Sequence, residues 1–500
     1  MPLSRRDCLQ FGAATGLVAA SAALSGCSEI VRRTVPAREK PLTTALPTTG
    51  DLAPVVHLLN RAGFGPAPGD VSRVAAMGIP SYLDEQLAAP NDDSEEGHGL
   101  QLRLQNIEVL TADPYDLNDL GDSEVMRQLS QATLLRAVYS PYQLRERMVD
   151  FWSNHFNLYA RKRINTNDLS PVYVQCLVAH DSLDVVRKHA LGKFPAMLKA
   201  SARSPAMLTY LDNQKNRKGI ANENYAREIM ELHTLGVNSG YTQKDVQEVA
   251  RCLTGWTVED GFLKNKGTFR FDANLHDNGE KVVLGKTIPA GGGESDGDTV
   301  LDILALHPWT ARFISRKMVK YLHGVHPDGS ENTQLIASTA DVYQKTGGDI
   351  AQMVRHILTA PEPAPPILKR PFDYVVSALR ATDADTDGSD GVQWHLMKMG
   401  QALFEWPMPD GYPDKTSAWT GSLLARWNFA FSLLNVSGEV KGTSVAIADK
   451  TPPQHLLTQM LGHRAEEGFV QPLLSAIAAH AEKPHEMAAL LLVSPLFQWR

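Results

Sequence analysis

Between Ser123 and Leu158, apolar residues return every three or four positions, and only Ser140-Pro141 interrupts the series. That spacing confines the segment to helices that bury one stripe. A proline suits the first turn of a second helix, and the serine before it suits a cap. The same period recurs along most of the chain. It begins at Val55-Val56 and runs through Phe64, then spans Asp70 to Leu87 as two short helices parted near Gly78-Ile79-Pro80. A series from Ser170-Pro171 to Asp212 has breaks at Asp181 and near Gly192-Lys193-Phe194-Pro195. Asn224 to Leu235 is one clear helix closed by Gly236. Thr242 caps the next, with Asp245 three residues on. Further helices are expected over 299–306, 310–322, 333–345, 350–358, 372–381, 393–403 and 422–433, and from Thr451 to the end.

Only residues 256–290 change period. Phe269-Arg270-Phe271 and Lys281-Val282-Val283-Leu284 suggest a small hairpin. The expected fold is mainly α, one large multi-helix domain over 51–500 with a β-hairpin insertion at about 257–290. Four prolines in Pro361–Pro366 mark a stiff connection, a lobe boundary at about 360–367 unless the helices on both sides share a core. Residues 90–122 read as acidic loops and 213–221 as an exposed basic loop. Gly291-Gly292-Gly293 lacks the Lys-Ser/Thr ending of a phosphate loop.

Lys plus Arg total 49 against 56 Asp plus Glu, a net charge of −7, which gives no general pull toward nucleic acid. At the N-terminus, Arg5-Arg6 precede an apolar stretch from Phe11 to Leu24, followed by Leu24-Ser25-Gly26-Cys27. The first part resembles a twin-arginine export signal and the second a bacterial lipobox with Cys27 as the lipidated residue. Residues 1–26 are therefore expected to be a signal and 27–50 a tether. The mature protein is expected on the periplasmic side of the cell envelope, as an outer-membrane lipoprotein held by its lipid. No later run reaches the roughly 18 apolar residues of a spanning helix. Cys176 and Cys252 then remain as the internal cysteines, either one disulfide or two buried thiols.

Three polar constellations stand out. Asn224, Arg227, Glu228 and Glu231 fall at spacings of three and four, on one helical face. Two carboxylates there can share acid/base work or bind a hard cation, and the arginine can orient them or hold an anionic substrate. A structural Arg–Glu network explains the same spacing. Asp150, Asn154 and His155 form the second group; His155 can ligate a metal or sit hydrogen-bonded in a core. His276-Asp277, with Lys281 nearby, form the third, where a plain turn is the alternative. Arg61 is a candidate substrate-binding base, and His307, Arg316, Lys317 and His323 are further basic groups. Trp406 and Trp419, in proline-rich loops, are candidate sugar platforms or core anchors, beside Trp394 and Trp427. No Gly-x-Ser-x-Gly, His-Glu-x-x-His or haem motif occurs.

A set of blocks carries a family resemblance: His57-Leu-Leu-Asn-Arg61-Ala-Gly-Phe-Gly65, Asp150-Phe-Trp-Ser-Asn-His-Phe156, Pro205-Ala-Met-Leu-Thr-Tyr-Leu-Asp212, Asn222 to Gly236, Tyr241-Thr242, Leu253-Thr-Gly-Trp256, His276-Asp277 with Lys281, His307-Pro308 with Arg316-Lys317, and the tryptophan-rich stretch 404–427. Together they resemble the bacterial DUF1800 family over roughly residues 52–500. The resemblance implies a largely helical, frequently exported protein, often encoded beside a sulfatase-like DUF1501 protein. The family often has histidine where this chain has Ser153, which weakens any metal site needing a second imidazole there.

The leading expectation is an exported, envelope-associated enzyme, a hydrolase of carbohydrate or another envelope polymer. Glu228, Glu231, His155 and Asp277 would be catalytic. Asn224, Arg227, Arg61, Trp406 and Trp419 would bind a glycan substrate. His155, Glu228, Glu231 and His276 would hold a divalent metal ion if one is used. The alternative is a noncatalytic assembly or binding protein that partners a DUF1501-like protein.

Overall fold

A computed structural model describes residues 35, 46–47, 51–90, 97–162, 172–261, 265–326, 328–449, 451–463 and 468–500. The expected signal and Cys27 lie outside them, as do Ser170 and Pro171. The protein is mainly α, and its described β structure is three two-stranded antiparallel sheets. No helix among the described residues is long and apolar enough to cross a membrane.

The helical periods translate directly. Asp122–Tyr139 and Gln143–His155 form the expected pair. The second helix starts after Tyr142 rather than at Pro141, because the Ser140 hydroxyl accepts the Tyr142 amide and shapes a turn. Trp152 is fully buried and its indole donates to the Ala190 carbonyl at 3.1 Å, which ties this helix to the next layer. Thr242 and Asp245 make a reciprocal capping box that starts Gln243–Cys252.

Two helices depart from the simple 3.6 period. Asp181 does not break its helix. Val174–Asp181 runs on as a π-helical segment, Ser182–Arg187. Likewise Glu223–Glu228 widens into a π-helical segment, Ile229–Thr234. Such segments are rare and cluster at functional sites.

The β insertion differs from the expected single hairpin. Trp256–Val258 pairs with Phe269–Phe271, and Lys281–Val283 pairs with Lys286–Ile288, so the two recognised runs belong to separate hairpins. A third pairing joins Asp385–Thr386 to Thr443–Ser444. Gly293 precedes the helix Glu294–Ala305, which begins earlier than the apolar pattern shows because its first turn is acidic, as suits a helix N-terminus.

Apolar residues before and after 361–366 belong to one continuous core. Arg61 bridges the connection directly: it is buried and donates to the carbonyls of His323 (2.7 Å) and Pro365 (2.5 Å). The 213–221 segment is not simply exposed. Asn213 and Asn216 are buried and donate to the carbonyls of Trp256 (3.0 Å) and Ala250 (2.8 Å). Cys176 and Cys252 are free, buried thiols, and burial pushes both up to about 12. Val35, in the stretch expected as a tether, meets the helical body, because Arg103 donates to its carbonyl at 2.9 Å.

Candidate functional site

The Glu223–Thr234 helix presents a half-buried acidic face. The Asn222 side chain caps it by accepting the Asn224 amide at 2.9 Å. One turn on, Arg227 donates to Glu223 (3.3 Å), Glu231 (3.4 Å) and Gln243 (2.8 Å). Tyr241 donates its hydroxyl to the same Glu231 oxygen at 2.6 Å. Glu231 is thereby held by two donors. Glu228 is not among the partners of Arg227; burial, then the Glu231 charge, push its carboxyl above the usual range, with Arg227 opposing and Asp410 adding to the rise. Neighbouring carboxylates in unlike environments are the arrangement from which an acid and its partner are made.

The loop around Trp406 comes near this face, since the charge of its Asp410 helps raise the Glu228 carboxyl. Asn154 clamps it: its amide donates to the Tyr412 carbonyl at 3.1 Å and its oxygen accepts the Tyr412 amide at 2.7 Å. Asn157 donates to the carbonyls of Trp406 (3.0 Å) and Met408 (2.7 Å), and Tyr210 donates to that of Pro407 (2.8 Å). Gly411 is left-handed (φ 78°), and a β-carbon there would collide with the Asn154 carbonyl. Trp406 is half-buried, donates to Asp410 at 3.2 Å and lies 4.9 Å from the Tyr412 ring. Trp419 is buried and donates to the Pro413 carbonyl at 2.9 Å, so it anchors the loop and offers no platform.

His155 is buried one layer below. Its Nε2 faces the His233 carbonyl at 3.2 Å, and a carbonyl only accepts, so Nε2 carries the proton. Nδ1 is then free to accept from the Lys317 ammonium at 2.9 Å. Burial, then Lys317 and His233, hold His155 well below the usual histidine range. Burial lowers Lys317 to about 8, against the pull of Asp414. His233 is lowered to about 3 by burial and Lys317, and neither ring nitrogen has a partner among the described residues. His155 thus adjoins the helix that carries Glu228 through His233.

The third constellation lies in another network. His276 is buried between the Thr254 carbonyl (2.8 Å from Nδ1) and Asp296 (3.1 Å from Nε2). Lys281, also buried, donates to Asp296 at 2.5 Å and to the Asp277 carbonyl. Asp277 is gripped by Arg251 through two bonds (2.8 and 3.1 Å), which holds its carboxyl down at about 2. The expected convergence of His276 and Asp277 with Glu228 and His155 is therefore corrected, because their side chains are spent tying the insertion to the flanking helices, through Arg251 and Asp296. The four expected metal ligands are not assembled, and among the described residues no group of three or more His, Cys, Asp or Glu is arranged to hold a metal ion. Arg61 and Asn224 serve the fold as well. Arg61 ties the connection described above, and Asn224 donates to the Leu211 carbonyl at 3.1 Å. Asp150 accepts from Tyr321 (2.6 Å) and from Arg370.

Sequence reasoning missed Tyr241, Asp410 and Asp181, and set His233 lower because it falls off the Asn224–Glu228–Glu231 line. Tyr241 lay inside a quoted block but ten residues from Glu231. Asp181 had a legible signal, an acid within an apolar stripe (Val178, Val185, Val186), read as a break.

The fold and this face define a class: a helical protein with half-buried carboxylates on a π-widened helix and a clamped aromatic loop whose Asp410 bears on them. The chain belongs to the DUF1800 family, described as proteins of unknown function, which matches residues 57–499. No curated protein and no solved structure matches it.

Proposed function

We propose that this protein is an exported, lipid-anchored envelope enzyme, a hydrolase of carbohydrate-containing polymer, with Glu228 as general acid and Glu231 as its carboxylate partner. The observation that carries the reading is the asymmetry of the pair. Glu228 is half-buried with its pKa raised, while Glu231 is held by Tyr241 and Arg227. A raised carboxyl keeps a proton to give to a leaving group, which is the acid half of glycoside hydrolysis. Trp406 and Tyr412 supply the aromatic side of a sugar subsite. The resemblance of residues 1–27 to a twin-arginine signal with a lipobox supports a substrate outside the cytoplasm. Release of reducing ends from purified envelope glycan tests this. Glu228→Gln is expected to lower the rate by about a hundredfold or more. No release by the unaltered protein across envelope glycans, or full activity in Glu228→Gln, would refute the reading.

A second reading, a binding partner of a DUF1501-like protein, is favoured by one surface. Leu423, Leu424 and Trp427 are exposed on one helix, Leu423–Leu433. An exposed apolar group at helical spacing suits a protein contact. Co-purification with the co-expressed partner, lost in Leu424→Asp/Trp427→Asp, would support it; retention in that variant would oppose it.

A further inference from the structure

A cavity of about 70 Å³ lies between the Gln143–His155 helix, the Val174–Asp181 helix with its π-helical continuation, and the loop beginning at Gln401. Three carboxylates line it: Glu146, Asp150 and Asp181. Two are matched. Glu146 accepts from Arg187 through two bonds of 2.8 Å, with Arg145 at 3.4 Å. Asp150 is matched by Arg370 and Tyr321. Asp181 has no basic partner, and although it is 95% buried, its Oδ1 has no hydrogen-bond partner among the described residues. Burial pushes it up to about 7; the nearby Ser204 hydroxyl offsets this in part and Asp184 adds to it.

The remaining walls mix aliphatic and polar side chains with four aromatic ones, Phe156, Phe372, Phe404 and Tyr412. Phe404 lines the cavity from a left-handed backbone (φ 60°), a costly conformation for a bulky residue that surrounding structure must hold. The Ala160 amide does so by donating to the Phe404 carbonyl at 3.0 Å. Asp181 is itself the last residue before the π-helical segment. An unmatched buried carboxylate in a pocket that also has aromatic and aliphatic walls suits an ammonium: the acid meets the charge and the apolar walls meet the alkyl shell.

We propose that this cavity binds the primary ammonium head of a small ligand, with Asp181 as counter-ion and Phe156, Phe404 and Tyr412 among its walls. The space equals about two waters, so only the head enters. The inference does not rest on the Glu228 reading, because its test measures binding and needs no turnover.

The test is calorimetric titration of the full chain with methylammonium chloride at constant ionic strength from pH 5.5 to 8.5, against sodium and potassium chloride. Binding should favour the ionised Asp181. Affinity is therefore expected to rise about tenfold per pH unit up to about pH 7 and to flatten above it. Glu146 does not titrate in this window: burial alone would raise it, but Arg187 outweighs burial and holds it low. His180, paired with Asp184 at 3.5 Å, is raised despite its burial and does titrate here, and the Tyr225 hydroxyl, raised by burial and by Asp181, does not. Asp181→Asn separates these contributions. It should flatten the Asp181 part of the pH profile and lower affinity at pH 8 by about ten- to a hundredfold. Tyr412→Leu should weaken binding while leaving the pH profile in place. Ethanolamine and glucosamine distinguish an aminoalkyl headgroup from an amino sugar, and binding of either supports the proposal. Equal binding of sodium or potassium, a pH-independent affinity, or unchanged affinity in Asp181→Asn would each overturn it.

Discussion

His276 and Glu228 both belong to clusters where carboxylates meet bases, yet the two clusters are finished differently. Around His276, each charged group is spoken for: buried Asp296 takes buried Lys281 and the imidazole, and half-buried Asp277 takes Arg251. Around Glu228 the groups are half exposed, and Arg227 reaches Glu223 and Glu231 but not Glu228. Complete pairing removes the freedom to bind or to exchange a proton. Incomplete pairing beside solvent keeps it, at a cost in stability. The sequence ranks the Glu228 helix first and the His276 loop third, and burial with partner count gives that ranking its physical reason.

The sharpest way to break this contrast is at Asp296. Asp296→Asn would leave Lys281 buried without a counter-charge, and loss of one partner of a buried pair costs about 3–5 kcal/mol. Chemical denaturation should show that loss. A change below about 1 kcal/mol would mean that the His276 cluster is less closed than its geometry indicates. Next in size is Asn154→Ala, which removes both bonds to Tyr412 and should cost about 1–3 kcal/mol, with faster amide exchange confined to the 404–412 loop. Uniform exchange across the fold would deny that Asn154 acts as a clamp.

Asp277→Asn comes third. Its pair with Arg251 is partly exposed, so solvent screening keeps the loss to about 1 kcal/mol or less. The sign is fixed by the carboxyl, which Arg251 holds down at about 2. The pair stabilises the fold above the usual carboxylate pKa and loses that contribution as pH falls toward 2. The stability difference between wild type and variant should therefore shrink over about pH 4 to 2.

Most of the fold was legible because buried helices write their period into the chain. Ile350–Leu358 and the Thr242 cap stand where the pattern put them. The π-helical segments were not legible, since one widened turn leaves the apolar spacing nearly intact. The hairpins were mispaired because three-residue strands carry too little alternation to choose partners. At the candidate site, helical spacing grouped Arg227 and Glu231 correctly. It could not tell that His276 would turn away, because loop contacts depend on tertiary neighbours. Asn154 was legible as important but not in its role, since its partner Tyr412 is distant in sequence.

The smallest effect is the most discriminating. Glu228 has its carboxyl raised first by burial and then by Glu231, so the fold penalises its ionised form. Stability should fall as pH rises from the usual carboxylate range through the raised value, and there is no such penalty where the group is protonated in both states. Glu228→Gln removes the penalty and keeps the shape. At pH 7 it should leave stability unchanged or raise it by about half a kcal/mol, and the gain should vanish in acid. A structural Arg–Glu network predicts the opposite sign, because there the carboxylate would be stabilised by its partner and its loss would cost stability at pH 7 and less in acid. The same variant, measured for stability at two pH values, therefore separates a carboxyl kept for proton transfer from one kept for packing before any substrate is known.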